Sequence, residues 1–138
     1  MNVAFFLRPK FQVTYIYEND SLRAGLEKLK YHGFTAIPVI NDKNEYVGTI
    51  SEGDFLWYLV NDDVRRISLK EVEDVKIKDI LRKDMNPSVG IYETVDKLLN
   101  RAMQQNFIPV VDDSNVFIGI VTRKQIIEYL VNKNEYES

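Results

Sequence analysis

Two short segments of this sequence carry residue types at a spacing suited to a sugar and its phosphate. They are Gly48-Thr49-Ile50-Ser51-Glu52-Gly53-Asp54 and Gly119-Ile120-Val121-Thr122-Arg123-Lys124-Gln125. In the first, a carboxylate follows a hydroxyl by three residues at an expected helix start. Asp54 can then accept hydrogen bonds from both hydroxyls of a ribose, while Ser51 and the free N–H groups of the first turn face a phosphate. The same spacing is also a capping box, in which Ser51 caps the helix and Asp54 returns a bond to it. Taken alone, the match is most simply that cap. In the second segment Thr122 and Gln125 still satisfy the capping box, but the carboxylate is gone. A neutral amide has one acceptor oxygen and pairs less strongly with a diol. A ribose reading therefore suits Asp54 better than Gln125, while the cap reading suits both. Arg123 and Lys124 form a basic pair beside the second helix start, which reads as a phosphate contact or as a solvated helix face.

Little else in the chain could do chemistry. Its 138 residues contain no Cys and one His, so thiol nucleophiles, disulfides, Fe–S clusters and multi-histidine metal cages are excluded together. His32 stands beside Gly33 at an expected helix end, where a cation suits the helix dipole. An enzyme would need a nucleophile, a base and an electrophile in one cleft. Only scattered carboxylates, Ser and Tyr are available, with no Walker-type loop, so no catalytic activity is expected. Lys plus Arg number 18 against 21 Asp plus Glu, a net charge of -3, which gives no general drive toward nucleic acid or anionic membrane. The basic cluster Lys76, Lys78, Arg82 and Lys83 is interleaved with acids, so nucleic acid is not an expected partner. No 18-residue apolar run occurs, and the apolar patch within Met1 to Lys10 is too short for a signal sequence. A soluble, cytoplasmic protein is expected.

The elements that must position these segments are duplicated. At an offset of 71, Ile37-Pro38-Val39-Ile40-Asn41-Asp42 aligns with Ile108-Pro109-Val110-Val111-Asp112-Asp113, and Tyr46 to Ser51 with Phe117 to Thr122. Upstream the offset shifts to 75 for Ile16-Tyr17-Glu18 against Ile91-Tyr92-Glu93, and to 74 for Phe6-Leu7-Arg8 against Ile80-Leu81-Arg82. The expected organisation is a first repeat over 2–62, a linker over 63–75 and a second repeat over 76–135. Neither half is large enough to be stable alone. Each repeat reads as strand, helix, strand, strand, helix. Val13 to Tyr17 and Val89 to Tyr92 are short strands, and Ser21 and Thr94 are helix caps. Leu22, Leu26 and Leu29 form one helical stripe ending at Gly33, and Val95, Leu98, Leu99 and Ala102 form its counterpart. Two strands around a turn and a last helix complete each repeat, an α/β pattern of the βαββα type.

This order, the Ile-Pro-Val strand openings and the Gly-hydrophobic-hydrophobic-Ser/Thr-x-x-Asp ending resemble the cystathionine-β-synthase (CBS) domain. Two repeats in one chain resemble a stand-alone CBS pair. The resemblance implies two βαββα repeats packed about a pseudo-twofold axis and a non-catalytic regulatory module sensing an adenosine-containing ligand in clefts between the repeats. AMP, ADP, ATP, S-adenosylmethionine and cyclic di-AMP are the ligands it suggests. It further implies that the Asp54 site, with Thr49 and Ser51, is completed by Val89, Asn106, Phe107 and Ile108. The second site would combine Thr14, Phe34, Thr35 and Ala36 with Ile120, Thr122, Arg123 and Gln125. Phe107 and Ile108 read equally well as core residues.

Phe55-Leu56-Trp57-Tyr58-Leu59 carries more apolar surface than one helix face needs, and the surplus suggests a homodimer contact or a deeper monomer core. Because the chain shows no obvious output domain, the expected output is a separate regulated protein or the dimer's own change of shape. A ligand-independent interaction module is the alternative reading. The run Asn61 to Asp74 mixes both charges and reads as a solvated linker, partly helical from Ser68.

Overall fold

A computed structural model describes residues 1–60, 74–82 and 84–137. The expected helical stretch from Ser68 and most of the expected linker lie outside those residues. The strands are β1 (Arg8–Pro9), β2 (Ile16–Tyr17), β3 (Ala36–Ile40), β4 (Tyr46–Ser51), β5 (Val89–Gly90), β6 (Phe107–Val111) and β7 (Phe117–Thr122). The helices are α1 (Leu22–His32), α2 (Glu52–Val60), α3 (Ile77–Ile80), α4 (Val95–Ala102) and α5 (Arg123–Glu137), and Val3–Phe6 and Lys10–Gln12 form 3-10 turns. The βαββα order therefore occurs twice.

The chain divides into two compact units that do not coincide with the two contiguous sequence repeats. One comprises Thr14–Met85 and the other Met1–Val13 with Asn86–Ser138. The opening segment of each repeat is thus assigned to the opposite unit. In the Thr14–Met85 unit, β2 pairs in parallel with β3, and β3 pairs antiparallel with β4. Ile77 of α3 is fully buried there with Ile16, Leu22, Ile37, Ile50 and Phe55. The other unit carries a four-stranded sheet in the order β1-β7-β6-β5. Its core is Val89, Leu98, Ile108, Val110, Val121 and Ile126, and it is completed by Val3 and Phe6 from the N-terminal turn. Val3 and Phe6 stand to this core as Ile77 and Ile80 stand to the other, so the offset of 74 read for this segment holds. Burying each such side chain contributes about 1.5–3 kcal/mol. The exchange therefore matters energetically to both units.

Glycines inside the last strand of each repeat permit this packing. Gly119 has φ 153°, and a Cβ there would lie 2.1 Å from the Arg8 carbonyl oxygen. At Gly48, φ 156°, the nearest atoms to such a Cβ are side-chain carbons of Leu81, at 3.2–3.3 Å.

The first strands correct the upstream register. Ile16 pairs with Val39 and Val89 with Val110, and the helix caps are Ser21 and Thr94. The equivalent residues are therefore Ile16 and Val89, at an offset of 73 rather than 75. The identical-looking Ile-Tyr-Glu triplets misled the alignment. Strand pairing and the caps fix the true register, and the lost residues are taken from the helix: α1 has 11 residues and α4 has 8. Both strands are also shorter than the hydrophobic runs suggest, because only two residues of each make ladder bonds. Gly33 closes α1 in the left-handed conformation at φ 67°, as its position predicts.

Candidate functional site

Asp54 sits in the first turn of α2, and its side chain is only 4% exposed. Its Oδ2 accepts from the Ser51 backbone N–H at 2.9 Å and from the Ser51 hydroxyl at 3.0 Å, while Ser51 Oγ accepts from the Asp54 N–H at 3.3 Å. That is the reciprocal capping box. The other oxygen is engaged as well. Asp54 Oδ1 accepts from Arg82 Nε at 2.7 Å and lies 2.7 Å from Arg82 Nη2 in an ion pair. Three hydrogen bonds and the ion pair thus engage both carboxylate oxygens. A buried carboxylate requires such pairing.

Arg82 was not among the residues expected here. It lies 28 positions from Asp54 and was grouped with a basic cluster on the linker side of the second repeat. The exchanged segment brings it across, since Leu81 packs on Gly48 and places Arg82 next to the α2 start. The repeated Leu7-Arg8 and Leu81-Arg82 pairs were the sequence signal that could have found it.

The other unit has the same cap without the charge. Gln125 Oε1 accepts from the Thr122 N–H at 3.0 Å and its hydroxyl at 2.9 Å, and Thr122 Oγ1 accepts from the Gln125 N–H at 3.1 Å. Arg8, the counterpart of Arg82, is exposed and makes no ion pair among the described residues.

Within each unit the loop ahead of the Ile-Pro-Val strand lies beside the helix start of the same unit. The Thr35 carbonyl accepts from the Glu52 N–H, and Ala36 is opposite Ser51. Likewise the Asn106 carbonyl accepts from the Arg123 N–H, and Phe107 is opposite Thr122. Phe34, Thr35 and Asn106 are exposed, Thr14, Ala36 and Phe107 half-buried, and Val89, Ile108 and Ile120 buried. Val89 and Ile108 belong to the apolar core of their unit. Thr49 is buried, with its hydroxyl 2.7 Å from that of Tyr46. The Arg123 guanidinium donates to the Ala102 carbonyl at 2.7 Å and to Asn106 Oδ1 at 3.1 Å, tying the α5 start to the end of α4.

A cavity of about 540 Å³ opens beside the Asp54–Arg82 pair, lined by Gly53, Asp54, Trp57, Tyr58, Asp79, Ile80 and Arg82. Its volume falls in the range of small-molecule sites, and it combines aromatic walls with a few charged groups, as such sites do. Among the described residues no group of three His, Cys, Asp or Glu side chains could hold a metal. No described helix is long and apolar enough to cross a membrane.

The family model of the CBS domain matches residues 8–61 and 72–132. The chain belongs to the CBS-domain family. It is a tandem CBS protein, and modules of this family are regulatory and non-catalytic. It is 30% identical over 120 residues to protein MK0525 of Methanopyrus kandleri, covering 80% of this chain and 55% of that protein. The chain thus spans about half the length of that relative. Cyclic di-AMP receptor B of Bacillus subtilis is 23% identical over 128 residues, covering 93% of this chain and 85% of the receptor. Among solved structures, CbpB in complex with c-di-AMP superposes with a TM-score of 0.86 at 25% identity, covering 100% of this chain and 91% of that one.

Proposed function

We propose that this tandem CBS chain is a regulatory module that senses an adenosine-containing nucleotide, with Asp54 receiving the ribose. The observation that carries this reading is a buried carboxylate at a helix start, on the wall of a cavity with aromatic sides. Cyclic di-AMP is the first ligand to test, because a receptor and a co-crystallised protein of the same family are named for it. In this reading Ser51 and Thr49 support the Asp54 site. A second site uses Thr14, Phe34, Thr35, Ala36, Ile120, Thr122, Arg123 and Gln125. The reading also includes a second copy of the chain as partner, a separate regulated protein and a cytoplasmic location, where free nucleotides are available. A sensor of this kind works only if the nucleotide prefers one conformation or complex, since equal affinity for both shifts nothing.

Isothermal titration with cyclic di-AMP, AMP, ADP, ATP and S-adenosylmethionine tests the proposal. At least one should bind and raise the melting temperature, and Asp54→Ala should weaken that binding. Silence from all five would overturn it. A ligand-independent interaction module is favoured instead by one observation, the exposed apolar residues Leu56, Trp57 and Val60 on α2. That reading predicts capture of a partner with no nucleotide effect.

A further inference from the structure

We infer that Arg82 is a latch on the Asp54 site that makes it select phosphorylated adenosine ligands over neutral nucleosides. The inference rests on the reading of Asp54 as the ribose acceptor. Both oxygens of Asp54 are already engaged: Oδ2 by the two Ser51 donors and Oδ1 by the hydrogen bond from Arg82 Nε and the ion-pair contact with Arg82 Nη2. A ribose diol brings two further donors, so one set must leave. The Ser51 bonds belong to the capping box of α2, and breaking them unwinds a helix start. Arg82 is held only by its side chain, which is 57% exposed, so it is the group that yields.

Once released, the guanidinium stands at the cavity wall without its anion. A ligand phosphate restores a bidentate, charge-assisted partner of the kind arginine prefers. A neutral nucleoside cannot, and must compete with the ion pair unaided. The exchange moves Arg82 from a protein carboxylate to a ligand phosphate as the sugar takes the carboxylate. The second unit lacks the device, since Gln125 offers no charge and Arg8 makes no ion pair among the described residues.

The test compares adenosine with whichever of AMP and cyclic di-AMP binds the wild-type protein more tightly, by titration calorimetry. The latch predicts a preference for the phosphorylated ligand of about tenfold or more. In Arg82→Gln the preference should fall to within about threefold, through tighter adenosine binding and weaker nucleotide binding. The wild-type ratio needs no variant to fold: equal affinity for the two ligands overturns the latch. So does a ratio that Arg82→Gln leaves unchanged, and in both cases the nucleotide-sensing reading survives. If neither AMP nor cyclic di-AMP binds the wild type, the latch is overturned, and silence from ADP, ATP and S-adenosylmethionine as well overturns the nucleotide-sensing reading.

Discussion

Asp54 serves two purposes at once, and substitution should separate them. As the acceptor in a capping box it contributes about 1 kcal/mol to stability; as the partner of Arg82 it keeps a buried charge satisfied. Arg82→Gln leaves the carboxylate with Ser51 alone and should destabilise the protein by roughly 1–2 kcal/mol in a denaturant melt, an amount that leaves it folded. On the ligand side, Asp54→Ala should weaken nucleotide binding by at least about tenfold, and Gln125→Ala by much less. Equal losses in titration would remove the asymmetry between the sites. Glu93 gives a pH handle in the other unit. The hydrogen bond from Lys97, helped by the Gly90 N–H and opposed by partial burial, holds its carboxyl below the usual glutamate range. Its stabilising contribution is present above the unfolded-state value and is lost as pH falls through the lower folded-state one. Melts of wild type and Glu93→Gln should differ by less than about 1 kcal/mol at neutral pH and converge in acid. The hydroxyl-x-x-carboxylate spacing was legible in the sequence because cap and site lie within four residues. Arg82 was not, because nothing local to a basic cluster says which carboxylate it will meet.

At the scale of elements, the duplicated strands and helices follow from local pattern and caps. Ser21 and Thr94 cap their helices as their positions predict, with the Ala24 and Lys97 N–H groups as donors. The exchange of leading segments was hidden, because periodicity places Val3 and Ile77 on buried faces without saying whose core buries them. Two substitutions test the exchange. Ile77→Ala removes a fully buried side chain from the core of the unit that precedes it in sequence and should cost about 2–5 kcal/mol. Gly119→Ala places a methyl group against the Arg8 backbone, where no rotamer change relieves the overlap. It should cost about 2–4 kcal/mol through strain and displacement of β1. Hydrogen exchange would localise that loss: protection should fall at β7 and over Val3–Phe6 together. Unchanged protection over Val3–Phe6 would show that the N-terminal turn does not depend on this contact. The upstream register failed in the sequence for a related reason. Similar side chains at Ile16-Tyr17-Glu18 and Ile91-Tyr92-Glu93 outweighed the strand partners, which only the fold supplies.

For the molecule as a whole, the apolar excess on the last helices is the property that its own core does not account for. Leu56, Trp57 and Val60 of α2 are 63%, 70% and 62% exposed, although they lie on a helix whose Phe55 is buried. In the other unit α5 exposes Ile127, Leu130 and Val131 in the same way, and Ile127 and Val131 are the repeat counterparts of Leu56 and Val60. A patch recurring in both repeats is what a self-complementary interface between two copies of the chain would use. Stable association buries about 800 Å² per partner, with aromatic residues near the centre, and that places Trp57 as the residue whose loss should matter most. Trp57→Glu should therefore shift the chain from dimer to monomer in sedimentation velocity without lowering its melting temperature in the monomeric state. Met103→Glu, on an exposed side chain outside the recurring patch, should leave the dimer intact. A wild-type chain that sediments as a monomer, or a Trp57→Glu variant that still sediments as the dimer, would refute this use of the helix face. If the dimer forms and Trp57→Glu also alters nucleotide affinity, then by linkage the nucleotide must alter dimer stability by the same factor. Assembly would then be a means by which the bound ligand is read.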